Sequence, residues 1–168
     1  MTENNEQLKT LYLGLDLSST NTGLVALAED GTIVRHELIS PNKALNFEER
    51  VVETIKTISN IVEEFTDSNK YQTLRVAIEG GALYGKGKRN ELAMLNGAVY
   101  YMFLLRGVDT ILVPPSRLKK FATGSGRASK GEMLEALPKL TSSSFQRTYK
   151  KYDDVVDAYW LATYRLTN

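Results

Sequence analysis

Four acidic residues occupy positions where a carboxylate could bind a cation. Asp16 interrupts a short apolar run, and Glu79 ends a second such run. Burying an ionised carboxylate without a partner is unfavourable, so both residues indicate a bound cation. Asp154 and Asp157 are three residues apart in a helical segment and project from one face. A local explanation is also open for each acid, because acids near a helix N-terminus interact favourably with its dipole and Asp16 could cap a local backbone group.

A cluster of carboxylates without Cys or His favours hard divalent ions such as Mg²⁺, with Mn²⁺ able to substitute. The chain has no Cys and one His, His36, which lies in a strand-like run where a half-exposed structural role is expected. Thiolate metal sites are therefore excluded, and a Ser-His-Asp hydrolase is disfavoured. Two divalent ions about 4 Å apart would support hydrolysis of a phosphodiester.

Positive charge is concentrated between the two pairs of acids. Residues 80–151 carry 13 Lys and Arg against 4 Asp and Glu, whereas residues 1–79 carry 7 against 13. The net charge of +1 therefore conceals a basic block suited to a polyanion such as DNA.

The cations of this block fall into clusters, and for any single cluster a solvated surface is the alternative explanation. The cations form four clusters, of which the first three are the predicted DNA contacts: Lys86, Lys88 and Arg89; Arg117, Lys119 and Lys120; Arg127 and Lys130; Arg147, Lys150 and Lys151. Between the second and third clusters, the glycine-containing loop 124–126 is expected to offer backbone N–H groups to a phosphate.

The apolar periodicity predicts one α/β domain spanning residues 1–168, with residues 1–9 as a flexible tail. Three antiparallel strands followed by alternating helices and strands indicate a ribonuclease-H-like mixed five-stranded sheet flanked by helices. In such a sheet the first and fourth strands are adjacent, and the last helix crosses their ends. The N-terminus carries no apolar signal region, so we expect a soluble, cytoplasmic protein without a membrane span. The predicted strands are residues 11–17, 23–28, 32–39, 75–79 and 110–113, and the predicted helices are 46–65, 90–106, 116–121, 130–137 and 152–165.

On these residues the chain resembles the RuvC family of Holliday-junction resolvases. The segment from Gly14 to Gly23 looks like the family's first motif, Gly-Ile-Asp-Pro-Gly-Ser followed by Thr-Gly, and Glu79 falls where a second strand acid is expected. Residues 124–130 are similar to the loop Gly-x-Gly-x-Ala-x-Lys. Residues 154–158 resemble the closing Asp-x-x-Asp-Ala, in which the Ala selects Asp154 over its neighbour Asp153.

The resemblance implies a homodimeric, metal-dependent endodeoxyribonuclease that cuts four-way junctions and other branched DNA. Paired symmetric nicks would leave 5′-phosphate and 3′-hydroxyl ends. Two Mg²⁺ ions would be held by the four acids, Lys130 would stabilise the scissile phosphate, and Lys119 would hold the DNA backbone. A cytoplasmic location on the nucleoid, or a phage origin, is expected on the same grounds.

The chain departs from the family pattern at two places. Leu17 and Ser18 replace the Pro-Gly that follows the first acid, which alters the turn. The family's wedge residue, which enters the junction, falls on Ala82, a side chain too small to stack on a base. Leu83 or Tyr84 is therefore the candidate junction wedge.

Two other functions remain open at this stage. Actin-like ATPases and sugar kinases also begin with an Asp-containing strand and turn, but they need a second domain. A junction-binding architectural protein without catalysis is the other alternative. The apolar segment 91–105 predicts either a core helix or a two-fold interface between subunits.

Overall fold

The computed structural model describes residues 9–67, 70–80 and 88–168, with only the backbone described for Lys88 and Arg89. Residues 1–8 of the expected tail lie outside this described part. Within these ranges, no helix has the length and hydropathy that a bilayer crossing requires. The described elements, in chain order, are β1 (Thr10–Leu17), β2 (Thr22–Leu27), β3 (Ile33–Ile39), α1 (Phe47–Asp67), β4 (Thr73–Glu79), α2 (Lys88–Leu105), β5 (Asp109–Val113), α3 (Pro115–Thr123), α4 (Lys130–Glu135), α5 (Lys139–Thr148) and α6 (Asp153–Thr167).

The strands form one mixed sheet in the order β3-β2-β1-β4-β5. β1, β2 and β3 are antiparallel neighbours, whereas β4 lies parallel to β1 and β5 lies parallel to β4. Helices connect the parallel strands, as a crossover requires. The structure therefore confirms the predicted α/β class, the five-stranded mixed sheet and the adjacency of the first and fourth strands.

Alternation along β1 distributes its side chains between the two faces of the sheet. Leu13 and Leu15 are fully buried in a core that includes residues of α1 and α2. Gly14 and Asp16 have the opposite parity, so they face α6 on the other side. Asp16 is thereby directed toward the helix that carries Asp154 and Asp157.

The α6 helix packs with its backbone against β1 and β2. A Cβ atom added at Gly14 would lie 2.0 Å from the carbonyl oxygen of Ala158, and one at Gly23 would lie 1.9 Å from that of Asp154. Real Cβ atoms do not approach backbone atoms this closely, so only glycine fits at these positions. The two glycines therefore set the height of α6, and of the acids in its first turns, above the sheet.

The sequence pattern does not predict α5, because half of its residues are Ser or Thr, which favour caps and turns over helix interiors. Tertiary packing holds this helix instead. Phe145 is fully buried, and the hydroxyl of Tyr149, directly after the helix, donates to the carbonyl oxygen of His36 at 3.0 Å. The same hydroxyl lies 2.7 Å from Nδ1 of His36, which gives this half-buried strand residue a structural partner.

We expect Gly23→Ala to lower the free energy of unfolding by about 3 kcal/mol or more, because the new methyl group overlaps rigid backbone. Gly131→Ala is the matched control, since a Cβ there meets only the hydroxyl oxygen of Ser129, at 3.8 Å. Because alanine favours a helix more than glycine does, the Gly131→Ala protein should be as stable as wild type or slightly more stable. Denaturant unfolding of both variants measures the difference. Wild-type stability of Gly23→Ala would contradict the close packing of α6.

Candidate metal centre

Two of the candidate acids lie at the same end of neighbouring strands. Asp16 is the penultimate residue of β1 and is 9% exposed, and Glu79 is the last residue of β4 and is half-buried. Because β1 and β4 are parallel neighbours, their carboxyl ends meet at one edge of the sheet. The first turns of α6 lie above this edge and bring Asp157 to it.

Three carboxylates converge there. Oxygen atoms of Asp16, Glu79 and Asp157 all lie within 4.8 Å of one another. Asp154, one turn earlier on α6, is not a member of this close group, although its negative charge contributes to raising the pKa of Asp16. The structure therefore brings three of the four predicted acids together and places the fourth beside them.

Burial and mutual repulsion disfavour the ionised forms of these acids. Burial, followed by the charge of Glu79, raises the pKa of Asp16 well above its ordinary value. Burial and the charge of Glu79 likewise raise the pKa of Asp157 to about 7, against an opposing effect of Lys130. Burial also raises the pKa of Asp154, which Lys130 again opposes. Without a cation, the folded protein therefore holds carboxylates that repel one another.

This donor set fits a hard divalent cation. The close group offers only carboxylate oxygens, which are ligands that Mg²⁺ and Mn²⁺ prefer over softer alternatives. A bound dication would also compensate the repulsion that raises the pKa values of Asp16 and Asp157.

Lys130 lies at the edge of the acids on the first turn of α4. Its position is fixed by a capping box, in which the backbone N–H of Glu132 donates to the Ser129 hydroxyl at 3.2 Å and the Ser129 N–H donates to the Glu132 carboxylate at 2.7 Å. The Lys130 ammonium forms an ion pair with Asp153, with 2.9 Å between Nζ and Oδ2. The hydrogen bond to Asp153 raises the pKa of Lys130, as do the charges of the neighbouring acids.

The expectation that loop 124–126 offers its N–H groups to a phosphate is wrong for two of its three residues. The N–H of Gly124 donates to the carbonyl oxygen of Lys120 at 2.9 Å and caps α3, with a positive φ of 83°. The N–H of Ser125 donates to the Thr123 hydroxyl at 3.2 Å. The N–H of Arg127, the next residue after the loop, is also used, because it donates to the hydroxyl of Ser125 at 3.3 Å. Internal turn formation uses these donors, and Gly124 ends α3 in the left-handed conformation.

The predicted DNA-contacting cations of the α3–α4 region lie on the surface. Arg117, Lys120 and Arg127 are exposed and Lys119 is half-buried, and none forms an ion pair with a described residue. The remaining candidates lie outside the described side chains, so their predicted roles stay predictions. These are the cations Lys86, Lys88 and Arg89, the wedge candidates Leu83 and Tyr84, and Ala82.

Two residues at the site were assigned no role from the sequence. Asp153 looked like an alternative to Asp154, but it pairs with Lys130 instead. Asn96 of α2 is buried, and its side-chain amide donates to the carbonyl oxygen of Glu79 at 3.4 Å, which ties the helix to the end of β4. A polar residue inside an apolar helix was the available signal for Asn96.

We expect Asp157→Asn to stabilise the metal-free protein at alkaline pH. Because the pKa of Asp157 is about 7 in the folded state against an ordinary value of 3.8, stability is lost as pH rises between these values. Asparagine does not ionise, so the variant should melt about 3 °C or more above wild type near pH 8 in EDTA, with little difference near pH 4. Excess MgCl₂ should raise the melting temperature of wild type more than that of the variant.

Asp67→Asn, at an exposed position at the end of α1, is the control for loss of one acid. It should change the melting temperature similarly at both pH values. A lower melting temperature of Asp157→Asn than wild type at alkaline pH in EDTA would contradict the electrostatic strain described above.

No protein-family model matches the sequence, and no curated protein matches it. Solved structures do match in fold. RuvC from Thermus thermophilus is similar with a TM-score of 0.65 and 18% identity, over 90% of this chain and 90% of that chain. T. thermophilus RuvC in complex with a Holliday junction substrate gives a TM-score of 0.63 and 20% identity over the same shares. The yeast mitochondrial Holliday junction resolvase Ydc2 gives 0.62 and 12% identity, over 95% of this chain and 78% of that chain. The chain therefore has the ribonuclease-H-like fold of the RuvC-type resolvases.

Proposed function

We propose that this chain is a metal-dependent endodeoxyribonuclease that resolves four-way DNA junctions, and other branched DNA, as a single domain. The observation that carries the proposal is the convergence of Asp16, Glu79 and Asp157 within 4.8 Å, on a fold similar to that of RuvC. Support comes from the fold neighbours, one of which is RuvC in complex with a Holliday junction substrate. The enzyme would act in the cytoplasm, as a nucleoid-associated or phage-encoded protein in a bacterial host.

The acids and Lys130 would perform different parts of the reaction. Asp16, Glu79, Asp154 and Asp157 would hold two Mg²⁺ ions, which Mn²⁺ could replace. When bound, such ions supply Lewis-acid stabilisation of the phosphodiester and of the leaving oxygen. The Lys130 ammonium would contact a non-bridging oxygen of the scissile phosphate. This contact would replace the ion pair between Lys130 and Asp153. A water oxygen joins the phosphorus and loses one proton to solvent, while the bond between phosphorus and O3′ breaks and O3′ takes up one proton. The products are a 5′-phosphate and a 3′-hydroxyl.

The surface cations of the α3–α4 region would hold the DNA backbone. Arg117, Lys120 and Arg127 are exposed without an ion-pair partner among the described residues, and Lys119 lies half-buried on the same helix as the first two. Phosphate contacts of this kind provide sequence-independent affinity and make binding depend on salt. Lys86, Lys88 and Arg89 would extend this surface.

A two-fold interface between subunits would use the outer face of α2. Met94, Tyr101 and Leu105 recur at helical spacing and are 55%, 64% and 88% exposed, whereas Leu95 and Phe103 on the opposite face are buried. Exposed apolar residues that recur on one face of a helix, while its opposite face is buried, are typical of an interaction surface. We propose that this partner is a second copy of the chain, so that two sites act on one junction and produce paired, symmetric nicks.

We expect Asp16→Asn to lower cleavage of a synthetic four-way junction by more than about a hundredfold, because losing a metal ligand should exceed the 10–100-fold effect of losing an outer-sphere partner. Junction binding should remain. Asp30→Asn is the matched control, because Asp30 accepts the N–H of Thr32 in an exposed turn, at 2.9 Å, which Asn can also do.

Full cutting by Asp16→Asn would contradict the site. If wild type bound junctions but cut none in Mg²⁺ or Mn²⁺, it would be an architectural binder. Thermal stabilisation by ATP without cleavage would support the ATPase alternative. Binding without cutting, or stabilisation by ATP without cleavage, would overturn the proposed function.

We expect Leu105→Lys to convert a dimer to a monomer, because it places a charge within the apolar face of α2. Leu140→Lys is the matched control, since Leu140 is similarly exposed, at 87%, but lies on α5. Sedimentation of wild type and both variants at equal concentration makes the comparison. A monomeric wild type, or a dimer that persists in Leu105→Lys, would contradict this interface.

A further inference from the structure

A group of cations at the junction of α5 and α6 is not used by the nuclease site. Arg147 lies in the last turn of α5, and Lys150 and Lys151 lie between α5 and α6. All three are exposed, and none forms an ion pair with a residue that the structure describes. The helix dipole favours a cation at the position of Arg147. It does not account for the two lysines, which lie outside the helix.

Contacts at both ends of this segment fix its place in the fold. Tyr149 is hydrogen-bonded to His36 in the edge strand β3, and the backbone of Asp154 lies against Gly23 in β2. The chain between them therefore runs along the β3 side of the sheet to the N-terminus of α6, where the acids lie. Lys151 lies two residues before Asp153, the first residue of α6.

The cations of α3 lie on the other side of the acids. That helix begins two residues after β5, the opposite edge strand of the sheet. β3 and β5 are separated by four strand spacings, or roughly 19 Å. The acids of β1 and β4 lie between these edges. The metal centre is therefore flanked by free positive charge on two sides.

We propose that Arg147, Lys150 and Lys151 form a second phosphate-binding edge, which holds a different arm of branched DNA from the arm held by α3. This inference rests on the proposed function for the position of the scissile phosphate. At a junction the arms diverge from the crossover, so cations on opposite sides of one cutting site meet phosphates of different arms. On a linear duplex, which has no second arm, these three cations would contact fewer phosphates than on a junction.

The test compares the triple variant Arg147→Gln, Lys150→Gln, Lys151→Gln with wild type in EDTA, where binding is measured without cleavage. The probes are a four-way junction and a linear duplex of equal arm length, at several salt concentrations. We expect the slope of log affinity against log salt for the junction to become shallower by about 2.7, because three phosphate contacts are lost and each contributes about 0.9. Junction affinity should fall about tenfold or more, and duplex affinity by less than about threefold.

A second triple variant controls for net charge. It replaces Lys9, Lys56 and Lys139 with Gln and should leave the junction slope unchanged. All three are exposed: Lys9 precedes β1 at the end opposite Asp16, Lys56 lies on α1, and Lys139 begins α5 at the end opposite Arg147. Equal melting temperatures of the three proteins establish that folding is intact.

An unchanged slope, or equal losses on junction and duplex, would overturn the second edge and leave the nuclease proposal standing. Loss of junction affinity with a wild type that cuts nothing in Mg²⁺ or Mn²⁺ would support the edge as a binding surface and refute the nuclease.

Discussion

The close contact between the backbone of α6 and the sheet is the constraint on which the candidate site depends. Gly14 and Gly23 leave no side chain between strand and helix, so the carbonyl oxygens of Ala158 and Asp154 approach to distances that any Cβ would block. This contact sets where Asp157 stands relative to Asp16 and Glu79, since the first belongs to the helix and the other two to the sheet. A helix raised by one methyl group would separate the three carboxylates.

The same contact makes the site electrostatically costly. Packing α6 onto β1 buries Asp16 and brings like charges together, which raises its pKa and that of Asp157. The repulsion lowers the stability of the folded protein, but it accompanies a set of carboxylate oxygens that is already in place for a ligand. Lys130 offsets part of the charge from the side, held there by the capping box of α4 and by Asp153. Positive charge on the α3 and α5 sides lies on either side of this group of acids.

The sequence indicated the acids more completely than it indicated their surroundings. Asp16 was predictable because an acid inside an apolar strand has few structural explanations, and its proximity to Glu79 followed from the strand order, which the structure confirms. The pairing of Lys130 with Asp153 was not predictable, because it joins residues of two helices whose relative placement depends on tertiary packing. α5 was missed because burial of Phe145, which no local pattern reveals, outweighs the weak helix preference of its Ser and Thr residues. The role of Gly124 was misjudged for a similar reason, since the cap it forms depends on where α3 ends.

The most direct test of the central claim is a mapped cleavage assay on four-way junction, fork and linear duplex DNA, with Mg²⁺, Mn²⁺ or Ca²⁺ as the added ion. The account predicts nicks in Mg²⁺ and Mn²⁺ at symmetric positions on two strands of like polarity, with ends that a ligase can seal, and no comparable cutting of linear duplex. Absence of cleavage in both ions, or equal cutting of linear duplex and junction, would contradict it.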